Sequence, residues 1–250
     1  MHMIKKLVCL LLCILLYPSI VYAKDDTQIL DKLRSAQIIW NKPYPDKQLN
    51  HNNLKNSNAN YIGWLSFNFN VENQDYRITI EEPVTFETEP DYYLKHDFYG
   101  NSDNNGCVFM DMDSDKSLYG YNDFLYAHHA ENETLFGTLN HVYEFGNNAY
   151  LKEHPQYMYI YTKTACHKYA LIGYERVTDS NNHYAYTTCE NEQMYLEYIN
   201  YLQQLPDYIE NAEIQWDCKP SILNFSTCDG PPGTDKRLVL HFAKIAAYAI

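Results

Sequence analysis

Three residues of this chain have side chains that could together perform acyl transfer. Cys228 closes the run Ile222-Leu223-Asn224-Phe225-Ser226-Thr227-Cys228, and Arg237 opens the run Arg237-Leu238-Val239-Leu240-His241-Phe242-Ala243-Lys244. Far upstream stands Tyr126-Ala127-His128-His129. A thiolate is the attacking form of cysteine, and a nearby cation raises its population. An imidazole can protonate a leaving amine and deprotonate an incoming one. A guanidinium does not give up its proton, so it is a poor base and a good clamp for an oxyanion. Each signal alone is weak, because most cysteines are small buried hydrophobes; only the combination points to covalent catalysis.

The elements that must position these groups are legible as short alternating runs. Cys228 ends an expected strand, Ile222–Thr227, just before the turn Asp229-Gly230-Pro231-Pro232-Gly233, whose prolines stiffen the loop. Arg237 starts the next strand, Arg237–Ile245. Antiparallel pairing across that loop sets the guanidinium near the sulfur. Further strands are expected at Trp64–Val71, Arg77–Ile80, Cys107–Met110, Phe124–His128, Tyr157–Thr162 and Tyr169–Val177. Adjacent strand side chains face opposite ways, so only one of His128 and His129 can face Cys228. His129 is then a solvent-facing neighbour, and Asp229 points away. Helical spacing marks residues 25–40, Thr134–Val142 and Asn191–Leu205, the last ended by Pro206. Residues 41–60, rich in Asn, Pro, Lys and His, read as a linker or surface loop. Many short strands separated by turns suggest a closed barrel or a sandwich.

The rest of the composition sets bounds. The chain has 250 residues, with a formal net charge of −13 that argues against nucleic acid as a partner. Met1-His2-Met3-Ile4-Lys5-Lys6 precedes an apolar run from Leu7 to Ala23, the pattern of an export signal. The run either stays as a membrane anchor or is cleaved after Val21-Tyr22-Ala23; in both cases the remainder is extracytoplasmic. About 225 residues then remain, enough for one sizeable core. Of seven cysteines, Cys107, Cys166, Cys189, Cys218 and Cys228 lie outside that run. Either one is a free reactive thiol and up to two disulfides form, or all are reduced. No CxxC pair supports a structural zinc site. Asp111, Asp113 and Asp115 alternate but lack the glycine and glutamate of a calcium loop, and read as a solvated turn. No phosphate-binding glycine loop occurs.

Several stretches, in order, resemble the class B sortases, cysteine transpeptidases of Gram-positive cell surfaces. Asn58-Ala59-Asn60-Tyr61-Ile62-Gly63-Trp64-Leu65 is similar to the family's opening strand. Asp91-Tyr92-Tyr93-Leu94 and Gly106-Cys107-Val108-Phe109-Met110-Asp111 follow. Tyr126-Ala127-His128 stands where the family has Tyr-Gly-His. Leu135-Phe136-Gly137-Thr138-Leu139 and Glu153-His154-Pro155 come next, then Ser226-Thr227-Cys228 and Lys236-Arg237-Leu238-Val239-Leu240. The resemblance covers nearly all of residues 58–245. It implies a mostly β fold: an eight-stranded barrel with N-terminal helices and a helix between strands 6 and 7. Residues 1–23 would be signal or anchor, 24–60 a helix and linker, and 61–250 the catalytic barrel.

The resemblance also implies a reaction. A surface protein is cleaved after threonine in a C-terminal sorting pentapeptide. The thioacyl-enzyme on Cys228 is then resolved by an amine of the peptidoglycan cross-bridge, on the outer face of the membrane or in the wall. His128 would be the general acid and base, and Arg237 the substrate and oxyanion clamp. Ser226 and Thr227 would line the groove, and Leu94 would form a wall. No metal or cofactor is needed. Ala127 replaces a glycine, tolerable where φ is negative, and Asn224-Phe225 replaces Thr-Leu, which alters the groove floor. His167 and His241 lack motif support and read as structural. Two other readings stay open: a hydrolytic cysteine peptidase on the same fold, and a non-catalytic surface-binding barrel.

Overall fold

The structure, a computed structural model, describes residues 43–70, 77–143, 148–181, 184, 186–230 and 233–250. The apolar run Leu7–Ala23, the helical spacing over 25–40 and the Pro231-Pro232 pair lie outside them. No helix among the described residues is long and apolar enough to cross a membrane.

Eight strands close into a barrel. They are β1 (Tyr61–Asn70), β2 (Arg77–Phe86), β3 (Val108–Met110), β4 (Asn122–Tyr126), β5 (Tyr157–Tyr161), β6 (Ala165–Thr178), β7 (Ile222–Cys228) and β8 (Lys236–Ala249). Their spatial order is β1-β2-β3-β4-β7-β8-β6-β5, and β5 returns to pair with β1. The choice between sandwich and barrel is thereby settled as a barrel. β2–β3 and β4–β7 are parallel, and the other pairs are antiparallel. A parallel pair cannot be joined by a tight hairpin, so each needs a long crossover. The two crossovers here, one from β2 to β3 and one from β4 to β7, carry Leu94 and His128.

The strands fill the barrel by alternation. Met110, Leu125, Leu223, Phe225, Leu238, Leu240 and Phe242 point into one buried cluster. Phe225 lies 4.7 Å from the Phe242 ring and 4.9 Å from that of Phe136. It is therefore barrel core and not groove floor. The opposite residues of the same strands face outward, and part of that outer surface is covered by helix α3 (Glu192–Gln203), inserted between β6 and β7. Asn191 caps this helix by accepting from the Met194 N–H at 3.0 Å. Asn224 is fully buried beneath it. Its carboxamide oxygen accepts from Tyr198 at 3.0 Å and lies 2.8 Å from His241 Nδ1, while His241 Nε2 meets Glu175 at 3.1 Å. His241 is thus part of a buried polar network, as its lack of motif support suggested.

Several expectations need correction. Residues 51–57 form a short helix, α1 (His51–Ser57), within the expected linker; Asn50 caps it by accepting from Asn53 N–H. It buries no residue, which is why no apolar period marked it. A second short helix, α2 (Asn148–Glu153), precedes β5. Thr134–Val142 is not a helix: Glu133 and Leu135 have positive φ, Leu135 bridges to His129, and only Leu139–Tyr143 makes a 3-10 turn. β4 ends at Tyr126, so His128 lies beyond the strand. None of the five described cysteines is joined in a disulfide, against the expectation of up to two such bonds. Asp111, Asp113 and Asp115 serve their own turn: Asp111 accepts from Asp113 N–H and Asp115 from Ser117 N–H, each within 3 Å.

Candidate active site

The cavity of interest lies on the outer face of the barrel, where β2, β3, β4, β7 and β8 end. Its volume is about 350 Å³, and its wall includes Cys228, His128, Arg237, Ser226, Thr227 and Leu94. All six residues singled out in the sequence therefore meet in one place. Cys228 and Arg237 are direct partners across the β7–β8 pair, as hairpin geometry required. Because Leu238 points into the core, Arg237 points out, on the same side as the cysteine.

His128 is held by the crossovers. After Tyr126 the chain leaves the ladder, and the Thr227 hydroxyl donates to the Ala127 carbonyl at 2.8 Å in place of a backbone bond. Ala127 is not among the positive-φ residues, so its methyl group is accommodated without strain and is buried. His128 Nε2 lies 2.9 Å from the Leu94 carbonyl oxygen. A carbonyl only accepts, so Nε2 carries the proton and Nδ1 is the acceptor of the neutral ring. Leu94 ends a 3-10 turn, Tyr92–Leu94, that is pinned to the start of β3 by Cys107 N–H donating to Tyr93 O at 3.1 Å. His129 does not line the cavity, but neither does it simply face water: its Nδ1 is enclosed without a partner among the described residues. The bridge to Leu135 folds the following loop back over it.

The Arg237 guanidinium is oriented by its own loop. Nη1 donates to Thr234 O at 2.6 Å and to Lys236 O at 2.9 Å, and Nη2 donates to Asp179 at 3.2 Å. Among the described residues three of the five N–H groups are used, and Nε together with the second Nη2 hydrogen can meet another acceptor. Asp229, next to the cysteine, turns instead to Arg176 at 3.2 Å. Ser226 exchanges a 2.7 Å hydrogen bond with Tyr184, which closes the groove from the β6–β7 connection.

The far wall is acidic, a feature that no local pattern marked. Glu87, Asp91 and Asp111 line it. Burial pushes the Glu87 carboxyl up to about 7; the Asp91 N–H bonded to it opposes the rise and the Asp111 charge adds to it. Its Oε1 is enclosed without a hydrogen-bond partner among the described residues. Asp111 is also raised, first by burial, while Asp113 N–H and the Tyr126 hydroxyl bond to it and counter the rise. These residues became visible only once β2 and β3 were side by side in parallel.

The cysteines separate by environment. Burial raises the thiols of Cys107 and Cys166 to about 12 and that of Cys189 to about 11. Cys228 is partly exposed and opens on the cavity.

The closed eight-stranded barrel with few helices matches the fold of solved sortase B structures. No protein-family model matches the chain. It is 23% identical to Sortase B of Listeria monocytogenes over 188 residues, 75% of this chain and 70% of that protein. It is 23% identical to Sortase B of Staphylococcus aureus over 222 residues, 87% of this chain and 84% of that protein. Among solved structures, Clostridium perfringens sortase B superposes with a TM-score of 0.60 at 21% identity, covering 78% of this chain and 98% of that one. A Staphylococcus aureus sortase B–substrate complex gives 0.61 at 21% identity, covering 78% and 84%. The resemblance to class B sortases thus stands in both sequence and fold.

Proposed function

We propose that this protein is an extracytoplasmic cysteine transpeptidase of the sortase kind, with Cys228 as nucleophile, His128 as general acid and base, and Arg237 as substrate and oxyanion clamp. The observation that carries the reading is the convergence of these three side chains, from three separate elements, on one cavity of a class B sortase barrel. The cavity is also lined by Ser226, Thr227 and Leu94, and one structural relative is a complex of sortase B with its substrate.

The chemistry follows from the groups. The Cys228 thiol gives its proton to Nδ1 of His128, the thiolate adds to the carbonyl of the scissile peptide bond, and the C=O π pair moves to oxygen. That oxyanion meets the two N–H groups of Arg237 left over by Thr234, Lys236 and Asp179. Collapse expels the amine, which takes its proton from His128, and leaves a thioester on Cys228. An incoming amine gives its proton to the ring nitrogen and attacks the thioester, and the thiolate is regenerated. The substrate would be a surface protein with a C-terminal sorting pentapeptide cut after threonine, and the acceptor a cell-wall amine. The N-terminal apolar run would hold the enzyme at the outer face of the membrane or direct its export.

The test is incubation of wild type and Cys228→Ala with a sorting-pentapeptide library and an amine acceptor, read by mass spectrometry. The expected result is a thioacyl adduct on Cys228, cleavage after threonine and an amine-ligated product, all absent from the variant. Cleavage that persists in Cys228→Ala would overturn the assignment. Cleavage with only the water product, at any amine concentration, would make the protein a peptidase.

A further inference from the structure

A second cavity, of about 450 Å³, shares no lining residue with the Cys228 site. Its wall contains Lys55, Lys116, Lys163, His51 and His167, and no aspartate or glutamate. In a chain with 32 acidic and 19 basic residues, that selection runs against composition. The three lysines arrive from different elements: Lys55 from α1, Lys116 from the β3–β4 loop, and Lys163 from the β5–β6 turn.

The three lysines line one wall around the start of β1. The Lys55 ammonium donates to the Tyr61 carbonyl at 2.9 Å. That of Lys116 lies 5.8 Å from the Phe86 ring, whose residue donates its N–H to Asn60 O at 2.8 Å. Thr162, beside Lys163, packs on Gly63. No carboxylate pairs with any of the three lysines among the described residues, whereas Lys47 nearby is bound to Glu81 at 2.7 Å. Hydroxyl groups of Ser117 and Thr164 add donors to the same wall, while that of Thr162 donates to the Ala165 carbonyl at 3.0 Å. A neighbouring cavity shares His51, Asn52 and Lys163 with it and extends it along residues 48–50, close to where the described chain begins.

We propose that this cavity is a binding site for a phosphate-class anion. Like charges brought together without a counter-ion repel one another, and an anion between them relieves that repulsion. Lysine ammonium groups act as point charges that suit a phosphate approached from several directions, and hydroxyl donors complete its shell. The phosphate can belong to a lipid headgroup or to a soluble or polymeric phosphate. The site stands apart from Cys228, so its failure would leave the proposed transpeptidase untouched.

The experiment compares the full wild-type chain with Lys55→Gln/Lys116→Gln/Lys163→Gln. A charge-matched control, Lys95→Gln/Lys152→Gln/Lys236→Gln, removes three exposed lysines elsewhere. Equal thermal midpoints establish that all three are folded. Titration with inorganic pyrophosphate is expected to show saturable, salt-sensitive binding to wild type and control, weakened roughly tenfold or more in the cavity variant. Vesicles of phosphatidylcholine with and without phosphatidylglycerol form the second arm. Lysine-dependent excess retention on the anionic vesicles names the lipid headgroup as the source; pyrophosphate binding without it names a soluble or polymeric phosphate. The proposal is overturned if wild type binds neither probe, or if both triple variants lose binding equally.

Discussion

At the scale of single residues, the environment distinguishes Cys228 from the other thiols. A thiol raised to about 12, as burial makes Cys107 and Cys166, is thiolate at about one part in 10⁵ at pH 7. A soluble alkylating reagent at neutral pH should therefore modify Cys228, and the exposed Cys218, well before Cys107 or Cys166. Peptide mapping of the native protein checks this; modification of either buried thiol at the rate of Cys228 would contradict it. Glu87 gives a second prediction. Its carboxyl stays protonated in the fold to about 7, against an ordinary value of 4.5. The folded state thus binds more protons between those limits, and this group's contribution to stability, full below about 4.5, is lost as pH rises to about 7. Glu87→Gln removes that loss. It should leave stability at pH 4 nearly unchanged and raise it by about 1–3 kcal/mol at pH 8. Denaturant midpoints at both pH values decide it, and equal changes at both would refute the assignment.

At the scale of elements, Leu94 and His128 meet because two crossovers are fixed to the barrel, and Gly106 does part of the fixing. It has φ +63, and a Cβ there would lie 2.2 Å from the Tyr93 carbonyl oxygen. Gly233 also has positive φ, +84, but nothing lies within 4 Å of its would-be Cβ. Gly233→Ala should thus cost about 1 kcal/mol in backbone strain alone. Gly106→Ala should cost roughly 2–4 kcal/mol and slow the proposed thioacylation as well, since the same Cβ would lie 3.1 Å from the Leu94 carbonyl oxygen that holds His128. Thermal unfolding and single-turnover rates measured on both variants test the difference. The strands were legible in the sequence because alternation is local. The Cys228–Arg237 register was legible because one turn joins their strands. The Leu94–His128 bond was not, because it spans 34 residues and rests on a backbone atom. The end of β4 was misplaced because a Thr227 side chain replaces the ladder there, and helical spacing over 134–142 yielded to left-handed residues at 133 and 135.

At the scale of the whole molecule, the candidate site sits where the barrel departs from a simple meander. The parallel pairs β2–β3 and β4–β7 require crossovers, and those crossovers deliver the imidazole and its carbonyl partner to the outer face beside Cys228. The same arrangement ties core to site. Phe225 precedes Ser226-Thr227-Cys228, points inward and packs against Phe67, Phe136 and Phe242. Phe136 belongs to the loop that follows His128, and its N–H donates to the His128 carbonyl at 3.3 Å. Removing the Phe225 ring therefore empties the barrel centre and also takes away the surface on which the histidine loop rests. Phe225→Ala should cost about 3–5 kcal/mol, a fall in Tm of roughly 10 °C for a domain of this size. It should also lower the rate of the proposed thioacylation well below the new Tm, where the protein is still folded. Phe225→Leu, which refills most of the volume, should recover the larger part of both. A Phe225→Ala protein that loses stability but keeps the wild-type rate would show that the loop is held by its own turn and not by the core.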